Sequence, residues 1–337
     1  MKNFSKLLVL GLVVGLIFAS CKKDPDPQEN QFSTLAQYMQ DNNLDLATIN
    51  GGFAKPGSAL NVNPTDYSVP DYYVIDIRTA DAFNSGHIKN AVNVPITNVL
   101  DEAPNAAGKP ILIVCASGQT AGRAVAALRM KGYTAYSLKW GMSAWHSSFS
   151  GTWEGKKGDF ASPNWVTTGT PPAYSTFGTP EIFSDAATPE AILDEQIEKM
   201  LANTEWGVTK DIVLANPGNY FINNYWTQPV WDLLGHINGA YRINEDLNLA
   251  GLKYLDPSKT ILTYCYTGQT SSITNAWLEV LGYDTKSLMF GANGIIHTNM
   301  LNSTDDIKKV TWGGAGAGSN LNFGYYDSNG TYFNPIP

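Results

Sequence analysis

Two copies of a six-residue cysteine loop contain the residue types and spacing that could do chemistry in this chain. The first copy is Cys115-Ala116-Ser117-Gly118-Gln119-Thr120, and the second, 150 positions further on, is Cys265-Tyr266-Thr267-Gly268-Gln269-Thr270. Each copy follows a short apolar run typical of a buried strand and precedes a run with helical periodicity. A thiol at such a junction faces the free N–H groups of the first helical turn, which stabilise an anion.

The chemistry that this position favours is that of a thiolate nucleophile. The backbone donors and the helix dipole predict that the pKa of each cysteine falls below the usual value of about 8.5. Gly118 and Gly268 allow the loop to curl so that successive amides converge on the sulfur. Thr120 and Thr270 are expected to cap the following helix. Both cysteines are therefore candidates for catalysis.

The elements around the loops predict a parallel α/β sheet in each half of the chain. Strand, loop, helix and strand follow one another at the spacing of parallel strands joined by crossover helices. In the first half we predict strands at 72–77, 110–114 and 135–138, and helices from residue 32 and over 121–131. In the second half we predict a helix over 188–203 and strands at 212–214, 220–222 and 261–264.

The two halves repeat more than the cysteine loop. Gly86-His87-Ile88 recurs as Gly235-His236-Ile237 at an offset of 149, and Gly141 recurs as Gly291 at an offset of 150. An internal duplication follows. The length of 337 residues also suits two domains with separate cores.

On these residues the two halves resemble tandem domains of the rhodanese (sulfurtransferase) family. The resemblance rests on Asp76-Ile77-Arg78, the stretch from Gly86 to Pro95, the cysteine loop, and Gly141 with Trp145. It implies an α/β fold of two rhodanese-like domains, each a parallel sheet flanked by helices. The expected domains cover 32–150 and 188–310, with an aromatic linker at 151–187 and a Gly/Asn-rich tail at 311–337. We expect the linker to pack across both domains.

The resemblance implies a ping-pong reaction in which a cysteine thiolate takes a sulfane sulfur from thiosulfate or 3-mercaptopyruvate and passes it to a thiol or cyanide. Cys115 and Cys265 would be catalytic, with Asp76, Arg78 and Arg123 in support. No cofactor is implied, and no spacing of Cys, His or carboxylates predicts a metal site. The loop residues expected to bind substrate are Ala116, Ser117, Gly118, Gln119, Thr120, Tyr266, Thr267, Gly268, Gln269 and Thr270.

Departures from the family pattern make the two sites unequal. The residues after each cysteine are neutral, which resembles mercaptopyruvate enzymes more than thiosulfate enzymes, so the donor stays open. In the second half Asn223-Asn224-Tyr225 stands in place of Asp-x-Arg, and Ile295 replaces the closing tryptophan. We therefore rank Cys115 as the safer catalytic residue.

Other interpretations of these residues remain open. The two cysteines could form one disulfide. A phosphatase or arsenate reductase on the same fold would need a longer loop closed by arginine, whereas Arg123 lies beyond the loop. The domains could also be a noncatalytic or persulfide-carrying binding module. His87 and His236 are better explained by structural hydrogen bonds than by pairing with the cysteines.

The start of the chain predicts an exported lipoprotein. Residues 1–20 have the basic, apolar and small-residue regions of a signal peptide, and the sequence up to Cys21 resembles a bacterial lipobox. Acylation at Cys21 would anchor the protein to the bacterial cell envelope through a polar tether at 21–31, on a membrane face that stays open. The formal net charge of −8 makes nucleic acid an unsuitable partner.

Overall fold

The computed structural model describes residues 29–313 and 321–336. The predicted signal peptide, Cys21 and most of the tether lie outside these residues, so their interpretation stays a prediction. Within the described ranges, no helix has the length and apolar character needed to cross a membrane.

The first half of the chain forms a five-stranded parallel sheet flanked by helices. The sheet has the strand order β1-β5-β4-β2-β3. Its strands are β1 (Ala54–Lys55), β2 (Tyr73–Asp76), β3 (Val92–Asn93), β4 (Ile111–Val114) and β5 (Ala135–Leu138). The helices are α1 (Phe32–Asp41), α2 (Leu46–Asn50), α3 (Ala80–Ser85), α4 (Val99–Glu102), α5 (Gln119–Met130), α6 (Met142–Trp145) and α7 (Gly151–Glu154).

The second half repeats this architecture with four parallel strands, in the order β7-β11-β10-β8. The strands from the linker onward are β6 (Trp165–Val166), β7 (Gly207–Val208), β8 (Tyr220–Asn224), β9 (His236–Ile237), β10 (Thr260–Tyr264), β11 (Thr285–Leu288), β12 (Tyr325–Tyr326) and β13 (Tyr332–Phe333). The helices are α8 (Pro189–Ala202), α9 (Lys210–Ala215), α10 (Gln228–Leu234), α11 (Gln269–Val280), α12 (His297–Leu301) and α13 (Asp305–Lys308). The predicted α/β class with parallel sheets is confirmed.

One predicted strand is wrong. Residues 212–214 lie inside helix α9, which begins after Thr209 and has Asp211 in its first turn. Three consecutive apolar residues do not distinguish a strand from one side of a short helix. The acidic residue near the helix start was the available signal for a helix.

The largest buried core is shared between the halves, and each half also has a smaller core of its own, so the expectation of two separate cores is incomplete. Helices α5 and α11 pack against each other, and Val125 and Ile273 belong to the same cluster of buried side chains. Strand residue Ile113 and the fully buried Trp277 lie in it as well. The two halves therefore stabilise each other through apolar burial.

The connecting segments cover the halves in a crossed arrangement. Linker strand β6 pairs with β9 of the second half, where Val166 lies opposite His236. The C-terminal tail returns to the first half, where Tyr326 forms an antiparallel bridge with His87 and the Gly324 carbonyl accepts the indole N–H of Trp145 at 3.0 Å. The domain limits at 32–150 and 188–310 stay a prediction. The first half is contacted by the tail and the second half by the linker, and both segments lie outside those limits.

A buried ion pair joins the same two helices. Arg123 on α5 is 1% exposed, and its Nη1 lies 2.9 Å from Glu279 Oε2 on α11. Asn203 Nδ2 also donates to Glu279 Oε1 at 2.6 Å. A charge buried without its partner costs much more than an exposed one.

We expect Glu279→Ala to lower the free energy of unfolding by about 3 kcal/mol, because Arg123 would stay buried without a counter-charge. Urea denaturation of the full chain measures this. The matched control is Lys309→Ala, which removes an exposed pair with Asp306 and should cost under about 0.5 kcal/mol. Equal losses in the two variants would contradict the assignment.

Candidate active site

The Cys115 thiol lies inside a cradle of backbone amides at the end of strand β4. The N–H of Gly118 donates to Cys115 Sγ at 3.1 Å, and the backbone N–H groups of Ser117 and Ala121 also act on the sulfur. Cys115 is 4% exposed. These converging donors match the predicted anion-stabilising geometry.

The expected lowering of the pKa at Cys115 is wrong. Burial raises the pKa of the Cys115 thiol above its ordinary value. The backbone N–H groups around the sulfur act in the opposite direction, and the negative charge of Asp76 adds to the rise. Loss of water around the thiolate outweighs the amide donors. A larger anion that extends from this position toward solvent would keep the hydrogen bonds from the backbone N–H groups and would lose less hydration than the buried thiolate.

The helix after the loop begins at Gln119, and its N-cap is Gly118 in a left-handed conformation with φ of 81°. Gly268, with φ of 76°, has the same place before α11. The prediction that Thr120 and Thr270 cap these helices is therefore wrong, since both lie inside the first turn. The positive φ at the two glycines turns the chain sharply toward the sulfur.

A second backbone segment holds the loop from behind. The N–H of Met142 donates to the Cys115 carbonyl at 2.9 Å, and the N–H of Ser143 donates to the Ala116 carbonyl at 3.2 Å. Ser143 Oγ also donates to the Ala116 carbonyl at 2.8 Å. Gly141, with φ of 61°, comes so close that an added Cβ would lie 2.3 Å from the Cys115 carbonyl oxygen.

Asp76 and Arg78 form a bidentate ion pair next to the loop. Arg78 Nε donates to Asp76 Oδ1 at 3.0 Å, and Arg78 Nη2 donates to Asp76 Oδ2 at 2.6 Å. Arg78 Nη2 also donates to the Gly86 carbonyl at 2.7 Å, which fixes the next loop. The pair is buried, and the Arg78 guanidinium lies 5.6 Å from the ring centroid of Phe149.

A cavity of about 300 Å³ opens in front of this arrangement. Its lining includes Arg78, Ala116, Met142, Phe149 and Thr152. Ala116 directly follows Cys115, so the cavity leads to the cysteine loop. It has the size of a pocket for a small molecule.

Arg123 does not support the Cys115 site as predicted. Its charge is paired with Glu279, and its guanidinium donates to the Met200 carbonyl, so both partners lie in the second half. Sequence spacing placed Arg123 one turn after the loop, but the side chain points into the interface between helices α5 and α11.

The two histidines have structural positions. His87 Nδ1 lies 3.0 Å from the Phe83 carbonyl, and its ring stacks on Phe83 at 3.9 Å between centroids. The predicted structural hydrogen bond of His87 is confirmed. His236 stacks on Trp231 at 3.6 Å, and burial lowers its pKa to about 4. No hydrogen-bond partner of His236 Nδ1 is found among the described residues, so the hydrogen bond of His236 stays a prediction.

The second cysteine loop surrounds its sulfur with hydroxyl groups. Cys265 is 2% exposed, and its Sγ lies 4.0 Å from Thr267 Oγ1 and 3.8 Å from Ser271 Oγ. Ser271 Oγ lies 2.6 Å from Ser287 Oγ and donates to the Gly268 carbonyl at 3.2 Å. The two cradles therefore differ in the polar groups nearest the sulfur, which are backbone N–H groups at Cys115 and side-chain hydroxyl groups at Cys265.

Strand pairing fixes which residues of the two halves correspond. Asp76 lies opposite Val114, and Asn224 lies opposite Tyr264, where the partner in each case directly precedes a cysteine. Asn224 therefore corresponds to Asp76, and the predicted alignment that began at Asn223 is wrong by one residue. Asn224 Nδ2 donates to the Tyr264 hydroxyl at 2.6 Å, so a neutral pair replaces the ion pair.

Trp226, rather than Tyr225, stands where the first half has Arg78. Trp226 is 1% exposed and stacks on Tyr266 with 5.1 Å between ring centroids. Tyr266 directly follows Cys265 in the chain, as Ala116 follows Cys115. Two stacked aromatic side chains thus lie beside the second loop, where the first half has an open cavity.

Sequence reasoning missed Trp153, and it assigned Gln119 and Gln269 to substrate binding without their contacts between the halves. Trp153 in α7 donates its indole N–H to the Ser117 carbonyl at 3.1 Å. Gln269 Oε1 accepts the backbone N–H of Trp140 at 3.0 Å, and Gln119 Oε1 accepts the backbone N–H of Phe290 at 2.7 Å. The repeat of glutamine at the same position in both loops was the available signal. The predicted packing of the linker across both halves is confirmed at Trp153, whose ring also lies 4.9 Å from the ring of Phe290 in the second half.

The disulfide interpretation is wrong, since Cys115 and Cys265 are both free. Among the described residues, no group of three or more His, Cys, Asp or Glu side chains is placed to hold a metal ion.

Comparisons with known proteins identify the family. The model of the rhodanese-like domain family matches residues 62–148. Thiosulfate sulfurtransferase GlpE of Shewanella oneidensis is 35% identical over 77 residues, which are 22% of this chain and 76% of that protein. Thiosulfate sulfurtransferase GlpE of Pseudomonas entomophila is 35% identical over 80 residues, which are 23% of this chain and 73% of that protein.

Solved structures of similar proteins were also found. A rhodanese-related protein from Thermoplasma volcanium is 24% identical and covers 27% of this chain and 88% of its own, with a TM-score of 0.24. Thiosulfate sulfurtransferase from Pseudomonas aeruginosa is 11% identical and covers 77% of this chain and 45% of its own, with a TM-score of 0.26. On the similarity to the two GlpE proteins, the chain belongs to the rhodanese family.

We expect Gly141→Ala to disrupt the Cys115 loop, because the new Cβ would overlap the Cys115 carbonyl. Gly132→Ala is the matched control, since Gly132 also has a positive φ of 83° but has no atom within 4 Å of an added Cβ. Denaturation should give a loss of about 1 to 2 kcal/mol in the control from backbone strain alone and a larger loss in Gly141→Ala. Alkylation of Cys115 should accelerate only in Gly141→Ala. Identical behaviour of the two variants would contradict the close approach.

Proposed function

We propose that this protein is a sulfurtransferase that carries a sulfane sulfur as a persulfide on Cys115. The observation that carries the proposal is the Cys115 thiol inside a cradle of backbone N–H groups, with Gly118 N at 3.1 Å. Family membership supports the same class, since two relatives are named thiosulfate sulfurtransferases.

The proposed reaction has two displacement steps. In the first step the Cys115 thiol loses its proton to solvent, and the thiolate attacks the outer sulfur of the donor. A new S–S bond forms, and the bond from that sulfur to the rest of the donor breaks. With thiosulfate the leaving group is sulfite, which keeps the bonding electron pair. With 3-mercaptopyruvate the carbon of the broken bond keeps the electron pair and takes up a proton, so pyruvate is released. In the second step an acceptor thiolate or cyanide attacks the outer sulfur, and the Cys115 thiolate departs.

The buried thiol and the amide cradle fit this cycle. Burial raises the pKa of Cys115, so the resting protein holds a protonated thiol against nonspecific oxidation. The persulfide is longer by one sulfur atom, and its outer sulfur would extend from the cradle toward the cavity in front of Ala116. Each loop amide that points at the sulfur stabilises the negative charge of the persulfide.

The charge of the cavity favours 3-mercaptopyruvate over thiosulfate as the donor. Arg78 is the one cation among the described lining residues, and its guanidinium is already paired with Asp76. Ala116, next to the cysteine, adds no charge. Such a pocket is better suited to one carboxylate than to a dianion.

We expect the full chain to gain one sulfur atom at Cys115 when it is mixed with 3-mercaptopyruvate or thiosulfate. Intact-protein mass spectrometry measures the loading, and cyanide should remove the added sulfur. Cys115→Ser should lose more than about nine-tenths of the loading, whereas Cys265→Ser is the matched control and should keep most of it. Absence of loading by both donors would overturn the sulfurtransferase assignment.

A persulfide-carrying role without donor turnover is the second candidate. It is favoured for Cys265 because aromatic side chains occupy the space beside the second loop where the first half has its cavity. Tyr266 and Trp226 stack beside this loop, and burial raises the pKa of Tyr266 to about 12. If Cys115→Ser abolishes turnover while sulfur still reaches Cys265 from a persulfide in another protein, the second half acts as a carrier.

We also propose that Cys21 is acylated and tethers the protein to the bacterial cell envelope. On expression of the full chain in a bacterial host, the N-terminal peptide should begin at Cys21 and carry the mass of acyl groups. The protein should then partition into detergent, and Cys21→Ser should abolish the partition. An unmodified Cys21 in the exported protein would contradict the proposal.

A further inference from the structure

The two cysteine loops exchange glutamine side chains across the interface between the halves. Gln269 of the second loop accepts the backbone N–H of Trp140 in the first half at 3.0 Å. Gln119 of the first loop accepts the backbone N–H of Phe290 in the second half at 2.7 Å. Both glutamines are buried, at 0% exposure for Gln119 and 2% for Gln269. Each loop is therefore completed by a side chain from the other half.

We propose that Gln269 is a positioning residue for Cys115, so that the second half sets the geometry of the first active loop. This assignment rests on the proposed function, in which Cys115 carries the persulfide. It gives the second cysteine loop a role that does not require catalysis at Cys265.

The contact reaches Cys115 through three consecutive residues. Trp140 is 1% exposed and has a left-handed backbone with φ of 68°, so its N–H has no access to water if Gln269 is lost. The next residue, Gly141, lies against the Cys115 carbonyl, and Met142 N–H donates to that carbonyl at 2.9 Å. A shift at Trp140 to satisfy its N–H would therefore move the backbone at the cysteine.

The same glutamine also lies against Gly118, the residue whose amide holds the sulfur. A Cβ added to Gly118 would lie 2.4 Å from Gln269 Oε1. Gly118 is the residue whose N–H donates to Cys115 Sγ. Gln269 thus packs against Gly118 in the cradle and hydrogen-bonds to the segment behind it.

The two glutamines are not equivalent, which makes Gln269 the better test. Gln119 Nε2 also donates to Ser117 Oγ in its own loop at 3.0 Å. For Gln269, the side-chain hydrogen bond found among the described residues goes to Trp140, while its Nε2 has no partner there. Replacing the Gln269 side chain should therefore disturb the first loop more than its own.

The experiment compares Gln269→Met with wild type in the full chain. Met keeps the length of the side chain and removes the acceptor. Alkylation by iodoacetamide, resolved by peptide mass spectrometry, gives the rates at Cys115 and Cys265 in the same sample. We expect Cys115 to react at least about fivefold faster. This factor is the lower end of the change that one unsatisfied buried donor causes in the equilibrium between closed and open loop. Cys265 should change less than twofold, whereas general destabilisation would accelerate both cysteines.

Sulfur loading should change in the opposite direction at Cys115, by a decrease of about tenfold, since a displaced Gly118 amide no longer stabilises the persulfide. Gln269→Glu keeps an acceptor oxygen and should restore at least half of the protection of Cys115 from alkylation. If Gln269→Met does not fold, Gln269→Glu tests the proposal instead. This variant should fold and protect Cys115 from alkylation. Gln196→Met, a buried glutamine on α8, is the control for the chemical change and should leave both rates within twofold.

The proposal fails if Cys115 in folded Gln269→Met is alkylated within twofold of the wild-type rate, or if both cysteines accelerate equally. It also fails if Gln269→Glu exposes Cys115 as fully as Gln269→Met. If wild type loads no sulfur at all, the sulfurtransferase assignment fails, but the alkylation rates still decide whether Gln269 positions the loop.

Discussion

The packing of helix α5 against helix α11 is the contact on which the other features of this molecule depend. Both helices begin at a cysteine loop, so their packing brings the two loops to one interface. Ser272 Oγ donates to the Gln119 carbonyl at 2.7 Å at the point where the loops meet. Apolar side chains of the same helices belong to the shared core. A structural change in one loop is therefore transmitted to the other loop through close-packed atoms.

Burial at this interface has opposite effects on the two properties that Cys115 needs in the proposed cycle. It raises the pKa of the Cys115 thiol, which lowers the fraction of thiolate at neutral pH. It also removes water that would compete with the loop amides for a bound anion, which strengthens each hydrogen bond to the sulfur. The cradle is thus better suited to hold a persulfide than to generate a free thiolate. This distinction follows from the burial of Cys115 and the position of the Gly118 amide.

Much of the fold and part of the site could be predicted from the sequence. Strand β5 and helix α8 were expected within one residue of their observed bounds, because strong apolar periodicity and the Thr188-Pro189 start determine them locally. The one-residue error at Asn224 arose because the repeat has different spacing before and after β8, and only pairing with β10 fixes the register. The partner of Arg123 could not be predicted, since Glu279 is 156 residues away in the chain and the packing of the two helices brings them together.

The linker and the C-terminal tail explain how the two halves could diverge at their sites while their sheets keep the same architecture. Strand β6 of the linker pairs beside His236, and the tail pairs beside His87, so both equivalent loops have an added neighbour. These backbone pairings do not depend on the residues at the cavity. The position of Arg78 can therefore become Trp226 in the second half, with the charge lost and the space filled by stacking on Tyr266. What the second loop must keep is the backbone shape that carries Gln269 to Trp140, and that shape is set by Gly268 and Gly291 rather than by Cys265.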